Sequence, residues 1–268
     1  MERPSWAPIG IDMETPSPAR IYDYHLGGMH NFPVDRDVAE QIAHMMPDLP
    51  LILRANRAFL HRAVRFLVDA GIRQFLDLGS GIPTEENVHE IAQRIAPDAR
   101  VAYVDADPVA VAHSRELLKD VPNTTAVQAD LRNVAGVLHA PEVSALIDFS
   151  EPVGLLMVAV LHFLSDSDDI DSLLAGYRHA LAPGSYLVIS HAAAKEQDAP
   201  EGAEDALATY SRRVTEFTLR TRAQVTEMFT GMELVAPGVA NVDEWRPDDG
   251  GSPKRLAQYV GVARKPGR

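Results

Sequence analysis

The chain contains no cysteine. This excludes disulfides, thiolate nucleophiles and cysteine-ligated zinc or iron–sulfur centres, and it fits a reducing compartment. Nor is there an apolar run long enough to cross a bilayer. The longest nearly unbroken stretch, Val153 to Leu164, falls short of the roughly 20 residues a spanning helix needs and reads as a buried strand. Positive charge is in deficit: 25 Lys plus Arg against 38 Asp plus Glu give a formal net charge of −13. Such a field repels phosphate backbones and anionic headgroups, so neither nucleic acid nor membrane partners are expected. The N-terminus, Met1-Glu2-Arg3-Pro4 with Asp12 and Glu14, lacks the basic start and apolar stretch of a signal peptide, and a cytoplasmic location is the expectation. Lysine is scarce, with Arg outnumbering it 21 to 4, as in chains encoded by GC-rich genomes. Internal repeats and low-complexity tracts are lacking too.

What is present supports a large core. The 268 residues, 46% hydrophobic and 24% charged, suit one α/β domain with insertions and exclude wholesale disorder. Residues 1–20, with Pro4, Pro8, Pro16 and Pro18, are predicted to form an extended or disordered arm. Residues 21–268 are expected as a single domain. Its parts are a helical N-terminal cover over 21–70, a central core over 71–190, an insertion over 191–230 and a C-terminal strand pair over 231–268. In the cover, Asp37 to Met46 and Ala55 to Ala70 read as helices, the second carrying Leu60, Val64, Leu67 and Val68 on one stripe with Gly71 as its C-cap. From Gln74 strands and helices alternate, the signature of a mostly parallel sheet wrapped by helices. Strands are predicted at Gln74–Leu78, Val101–Asp105, Thr125–Gln128, Gly154–Val160 and Tyr186–Ser190. Helices are predicted at Thr84–Ile95, Pro108–Leu118, Leu131–Leu138 and Ile170–Leu181, with Asp166, Asp168 and Asp169 favouring the start of the last through the helix dipole. Glu201 to Arg222 reads as a helical insertion, Glu233–Val239 and Gln258–Ala263 as two closing strands, and Asp248 to Pro253 as an exposed loop.

Phe75-Leu76-Asp77-Leu78-Gly79-Ser80-Gly81 is an apolar strand running into a Gly-x-Gly turn, where the backbone passes close to a ligand at the strand's carboxyl end. An ordinary strand-to-helix turn has the same shape, and the next strand separates the readings. Val101 to Asp105 ends in a carboxylate 24 positions past Gly81, about where an open α/β sheet holds an acid against ribose hydroxyls. A nucleoside-containing cofactor is therefore expected. The helix predicted to follow opens with Glu85-Glu86, and Thr84 stands where the dinucleotide pattern has its third glycine. Two carboxylates on that turn oppose a pyrophosphate. They are tolerable beside S-adenosyl-L-methionine, which has no phosphate and carries a sulfonium and an ammonium. A methyl donor is thus expected over a nicotinamide cofactor, with a nicotinamide-dependent oxidoreductase kept as an alternative.

These residues resemble a known family. Asp77-Leu78-Gly79-Ser80-Gly81, Tyr103-Val104-Asp105-Ala106-Asp107-Pro108, Ala129-Asp130 and Leu181-Ala182-Pro183-Gly184-Ser185 are similar, in order, to the motifs of class I S-adenosylmethionine-dependent methyltransferases. Over nearly the whole chain, Tyr22-Asp23-Tyr24-His25-Leu26-Gly27-Gly28 with Asn31, Asp35-Arg36 and Ser80 to Thr84 resembles an actinobacterial S-adenosyl methyltransferase family long carried as a domain of unknown function. The resemblance implies a bacterial enzyme of Rossmann-like α/β fold, a mostly parallel seven-stranded sheet with helices on both faces. It also implies roles: Asp77 and the Gly79-Ser80-Gly81 turn against the methionine part of the cofactor, Asp105 on the ribose hydroxyls, Ala106 beside the adenine, and Asp130 with Leu131 at the adenine edge. Asp107 is equally well placed to cap the helix opening at Pro108.

Methyl transfer from a sulfonium is an in-line displacement, so holding donor and acceptor in line in a dry site supplies much of the catalysis. His162, where the fourth strand leaves the sheet, is the candidate general base; a hydrogen-bonded core histidine is the open alternative. His191 stands similarly after the fifth strand. On the substrate side, Tyr22, Tyr24, His25 and His30 are candidates to line the acceptor pocket, with plain packing as the competing role for the tyrosines. Asn31 is favoured as a cofactor or substrate contact, with a turn as its competing role. The Asn/Asp-Pro-Pro-Tyr/Phe sequence of enzymes that methylate exocyclic base amines is missing after the fourth strand. No metal is expected, because helix capping accounts for Asp166, Asp168 and Asp169. The expected activity is S-adenosylmethionine-dependent methylation of a small molecule, the alternative from another class being a non-catalytic S-adenosylmethionine-binding sensor or scaffold.

Overall fold

The computed structural model describes residues 4, 6, 7, 9–83, 86–194, 202–248 and 254–267. Three helices come first: α1 (Pro18–His25), α2 (Pro33–Met45) and α3 (Leu49–Asp69). Strands and helices then alternate through β1 (Gln74–Leu78), α4 (Val88–Ile95), β2 (Arg100–Asp105), α5 (Pro108–Leu118), β3 (Thr124–Gln128), α6 (Val134–Leu138), α7 (Pro141–Leu146), β4 (Gly154–Val158), α8 (Ile170–Ala180) and β5 (Tyr186–Ala192). The chain closes with α9 (Ala203–Arg213), α10 (Arg222–Glu227), β6 (Glu233–Leu234), β7 (Ala240–Asn241) and β8 (Gln258–Arg264).

The strands run β3-β2-β1-β4-β5-β8-β6, parallel from β3 through β5 and antiparallel at β8. The strand expected over Glu233–Val239 is broken. Among the described residues, β6 and β7 both pair with β8, which makes eight strands rather than seven. Pro237 lies in the break, and without an N–H it cannot serve the ladder.

Both faces of the sheet are covered, which is why the central strands read as continuous apolar runs. On one face Phe75, Val101, Leu156, Val188 and Val260 pack with Phe59, Ala63, Val64 and Leu67 of α3 and with Trp245. On the other, Leu76, Leu78, Val104, Leu155, Met157 and Leu187 pack with Leu173, Leu174 and Tyr177 of α8. Within the first twenty residues, expected as an extended or disordered arm, Trp6 stacks on Phe32 with ring centroids 5.1 Å apart, and Ala7 is buried.

Element starts differ from the sequence reading for local reasons. Pro18 and Pro33 open α1 and α2, proline being tolerated where the first N–H groups have no helical partner. Asp35 secures the second start: its Oδ2 accepts from Phe32 N at 2.8 Å and from Arg20 Nε at 2.9 Å, and its Oδ1 accepts from Ser17 N at 2.9 Å. α4 begins at Val88, after Glu90 Oε2 has accepted from Asn87 N at 2.6 Å; Thr84 and Glu85, expected as its first turn, lie outside the described residues. The expected helix over Leu131–Leu138 is confined to α6, with Asn133 Oδ1 accepting from Gly136 N at 3.0 Å. Among the described residues the insertion holds two helices, α9 and α10, and Arg220 between them bridges to Ala193 at the end of β5; Glu201, expected as its start, lies outside the described residues.

Candidate functional site

The carboxyl ends of β1, β2 and β4 open into one cavity of about 820 Å³. It lies where the strand order reverses between β1 and β4, the place where open α/β sheets take ligands. The turn after β1 needs glycine. Gly79 has φ +70°, its N–H donates to Val104 O at 2.8 Å, and a Cβ there would stand 2.3 Å from Val160 Cγ2. Ser80 N donates to the same carbonyl at 3.2 Å, and Gly81 N donates to Asp105 Oδ2 at 2.7 Å, which clamps the turn to the end of β2. The other Asp105 oxygen accepts from Asp107 N at 2.8 Å. Both oxygens thus accept from the backbone, and the Ala106 N–H adds to that hold. Burial pushes the Asp105 carboxyl up to about 6, while the N–H groups of Asp107 and Gly81 hold it down.

Asp77 lines the same cavity at 6% exposure, and its carboxylate accepts no hydrogen bond from any described residue. Burial pushes it up to about 7; the Arg57 guanidinium pulls the other way and the Asp105 charge adds to the rise. A buried carboxylate without a donor is costly. Its placement beside the glycine turn fits it to a cationic guest, and Arg57, also on the cavity wall, supplies the opposite charge close by.

Ala106, Asp130 and Leu131 line the cavity beyond Asp105. Asp130 is tied to Arg132 at 2.6 Å, and that hydrogen bond holds its carboxyl below the usual range. Leu131 is anchored by its carbonyl, which accepts from Tyr177 Oη at 2.8 Å. Asp107 caps α5: its Oδ1 accepts from Val109 N at 2.7 Å and Ala110 N at 3.3 Å. Glu86, expected on the helix's opening turn where a carboxylate would oppose a pyrophosphate, instead meets His61 at 3.1 Å and Arg94 at 3.6 Å and is off the cavity wall. The electrostatic objection to a pyrophosphate drawn from that residue therefore does not hold in the folded chain.

Of the acceptor-side candidates, the structure brings Tyr22, His25 and His162 to the cavity. Tyr22 Oη donates to Leu53 O at 3.3 Å and accepts from Asn56 Nδ2 at 3.1 Å, and His25 Nε2 is buried with no hydrogen bond among the described residues. His162, 5% exposed, likewise has Nδ1 buried without a partner. Burial holds its pKa well below the ordinary value, with His191 and Arg220 pushing the same way.

Asn31, Tyr24, His191 and His30 are not on the cavity wall. Asn31 holds a turn, its Nδ2 donating to Asp23 Oδ2 at 2.8 Å and to Gly28 O at 3.0 Å, while its Oδ1 accepts from Arg36 at 2.9 Å. Tyr24 Oη donates to Glu40 at 2.7 Å at the surface. His191 is fully buried behind the wall: Arg220 donates to its Nε2 at 2.9 Å, leaving Nδ1 to donate to Ala192 O at 2.8 Å. The same guanidinium donates to Leu161 O at 3.3 Å and Leu164 O at 3.1 Å, on either side of His162, and to Asp166 at 2.8 Å. That pairing, the bond from Ser165 N to Asp168 at 2.7 Å and the cap by Asp169 on Ser172 N at 3.3 Å occupy the three acids weighed for a metal.

Sequence reasoning missed Asn56, Arg57, Tyr210 and Phe217 on the cavity wall. Asn56 had a signal, a polar residue four positions after Ile52 and four before Leu60 on the buried stripe of α3. Its Oδ1 accepts from Ser190 Oγ at 2.6 Å and Gln258 Nε2 at 2.9 Å, joining the floor of the cavity to β5 and β8. Phe217 lies in a stretch with no periodicity and had none.

A mostly parallel sheet closed by an antiparallel strand, with a glycine turn and an acid at the next strand end, defines the class I methyltransferase fold. The family model described as S-adenosyl methyltransferase matches residues 4–266, and the chain belongs to that family. It is similar to a "putative methyltransferase" from Thermobifida fusca YX, at 40% identity over 98% of this chain and 100% of that one with a TM-score of 0.93. It is similar also to a DUF574 family protein from Streptomyces avermitilis MA-4680, at 42% identity over 95% and 99% with a TM-score of 0.90. Human N-acetylserotonin methyltransferase, solved in complex with SAM, shares the fold at 14% identity, a TM-score of 0.51 and coverage of 92% of this chain and 62% of that one. No match was found among curated proteins.

Proposed function

We propose that the protein transfers the methyl group of S-adenosyl-L-methionine to a small molecule. The observation that carries this reading is the buried Asp77 carboxylate, without a hydrogen-bond donor, facing the cavity beside the Gly79–Gly81 turn with Arg57 close by. A carboxylate and a guanidinium together match the ammonium and carboxylate of an amino-acid end. The Asp105 carboxylate matches ribose hydroxyls, and Ala106 and Leu131 offer an apolar edge for a base. When bound, the cofactor supplies an electrophilic methyl group on a sulfonium.

The chain's own residues orient, exclude water and hold a proton. Tyr22, fixed by Leu53 and Asn56, and His25 form part of the far wall, and α1 to α3 close the cavity with Ile21, Ile42, Leu49 and Ile52. His162 accepts a proton from the acceptor, its turn held from both sides by Arg220. The cavity volume lies high in the roughly 300–1,000 Å³ range of single-ligand sites, leaving room beside a cofactor; a non-catalytic sensor needs no such room. The net charge of −13 favours a small acceptor in the cytoplasm over a nucleic acid. No helix of the described residues is long and apolar enough to cross a membrane.

The test is methyl-labelled S-adenosylmethionine incubated with the protein and a bacterial extract that is then dialysed. Label in a dialysable product that chromatography separates from S-adenosylmethionine, lost with His162→Gln, is the expected result. Label retained on protein or nucleic acid contradicts the small acceptor, and cofactor binding without transfer from any extract supports the sensor.

A further inference from the structure

We infer that the acceptor is a neutral, planar hydroxyarene, seated on a wall of aromatic rings with its O–H against the imidazole of His162. This rests on the reading that the glycine-turn half of the cavity takes S-adenosylmethionine. Val160, pressed on Gly79, leads within two residues to His162, so the ring wall begins where the glycine turn ends. Phe217 stacks on His162 with centroids 4.4 Å apart and planes 28° apart, and Phe163 meets the same imidazole edge-on at 4.4 Å. Tyr210 packs on Phe217 at 5.3 Å and nearly parallel to Phe163 at 6.2 Å and 21°. Four side chains from the turn after β4, from α9 and from the segment after it thus form one continuous surface. Ring faces reward flat apolar guests through offset and edge contacts.

Among the described residues, that wall carries no buried carboxylate and no uncommitted cation. The cavity-lining aspartates, Asp77, Asp105, Asp107 and Asp130, all belong to the glycine-turn half, and Glu204 of α9 is exposed. Arg222 on this side is spent: it donates to Asn241 at 2.6 Å and Val239 O at 3.2 Å and lies over the Tyr259 ring, and Arg255, also on the lining, is exposed and pairs with Glu244 at 3.4 Å. Among the described residues, an anionic acceptor finds no uncommitted partner there, and a cationic one finds no buried carboxylate.

The chemistry of His162 agrees. As the new C–O bond forms and the S–C bond breaks, the S–C electron pair stays on sulfur and oxygen becomes a protonated ether, a strong acid. Its proton passes to a ring nitrogen of His162, so the positive charge lost from sulfur reappears on imidazole and leaves later to solvent. A buried, weakly basic imidazole can accept that proton. It cannot take one from an alkylammonium, which is a far weaker acid.

The experiment titrates the full chain, saturated with S-adenosylhomocysteine, with 2-naphthol, 7-hydroxycoumarin and 1-hydroxyanthraquinone, and with cyclohexanol and hexylamine as controls. At least one hydroxyarene is expected to bind ten times more tightly than both controls. Phe217→Ala should weaken it about tenfold or more and Phe217→Trp restore it, with homocysteine-ligand binding unchanged in both variants. His162→Gln should keep binding but abolish formation of the methoxyarene from S-adenosylmethionine. Failure of all three hydroxyarenes to bind protein that does bind S-adenosylhomocysteine overturns the inference and leaves the cofactor reading standing. So does equal binding of hexylamine, or indifference to Phe217→Ala. Failure of S-adenosylhomocysteine itself to bind removes the underlying reading and the inference with it.

Discussion

At the scale of single residues, the glycine-turn half of the cavity is defined by two carboxylates that burial holds partly protonated near neutrality, Asp77 at about 7 and Asp105 at about 6. A cationic guest binds their ionised forms. Affinity for S-adenosylmethionine should therefore rise as pH climbs from about 5.5 to 7.5 and level off above, with protons released on binding. Calorimetry in buffers of different ionisation enthalpy reads this directly, and a flat profile contradicts it. The same shifts set a stability slope in the free protein. A carboxyl whose folded pKa is raised binds its proton more tightly in the folded state, so its contribution is present at low pH and is lost as pH rises through about 7. Asp77→Asn should thus gain stability over the native chain on moving from pH 5 to pH 8, measured by urea unfolding. Asp105→Ala removes a charge-assisted acceptor. It should weaken adenosyl-ligand binding by about 1.5–3 kcal/mol, roughly ten- to 150-fold.

At the scale of elements, the glycine turn and the start of α2 are the joints that hold the site together. A methyl group at Gly79 would both occupy a left-handed backbone conformation and collide with Val160. Gly79→Ala should cost about 1–2 kcal/mol from the backbone alone and more from displacing Val160, seen as a lowered melting temperature and lost ligand binding. Asp35, fully buried, receives Ser17 N, Phe32 N and Arg20. Asp35→Ala leaves Ser17 N and Phe32 N without their acceptor and Arg20 with only Asp107 at 3.6 Å as an ion-pair partner among the described residues, and should destabilise by about 2–4 kcal/mol in denaturant titration.

These joints also mark how far the sequence could be read. β1, β2, β4 and β5 were legible because both their faces are buried and the runs are unbroken. The turn and Asp105 were legible because a glycine at positive φ and an acid at a strand end leave local marks. Asn31 misled because a buried asparagine serving a turn and one serving a ligand look alike until the position of Asp23 is known. His191 misled because its guanidinium partner is 29 residues away at Arg220. The ring wall was illegible for the same reason: Phe163, Tyr210 and Phe217 come together only through tertiary packing.

At the scale of the whole molecule, one sheet buried on both faces carries a cavity at its reversal point, under a helical cover that the first residues also clasp through Trp6. Ligand binding in so enclosed a place should couple to global stability. A cofactor product at 100 times its dissociation constant stabilises the folded state by about 2.7 kcal/mol, and S-adenosylhomocysteine should raise the melting temperature accordingly. The most direct test of the central claim, that the glycine turn, Asp77 and Asp105 form an S-adenosylmethionine site, is calorimetric titration of the purified chain with S-adenosylmethionine, S-adenosylhomocysteine and NADH. The account predicts micromolar binding of both adenosyl ligands and none of NADH; folded protein that ignores both adenosyl ligands, or that takes NADH in their place, would contradict it.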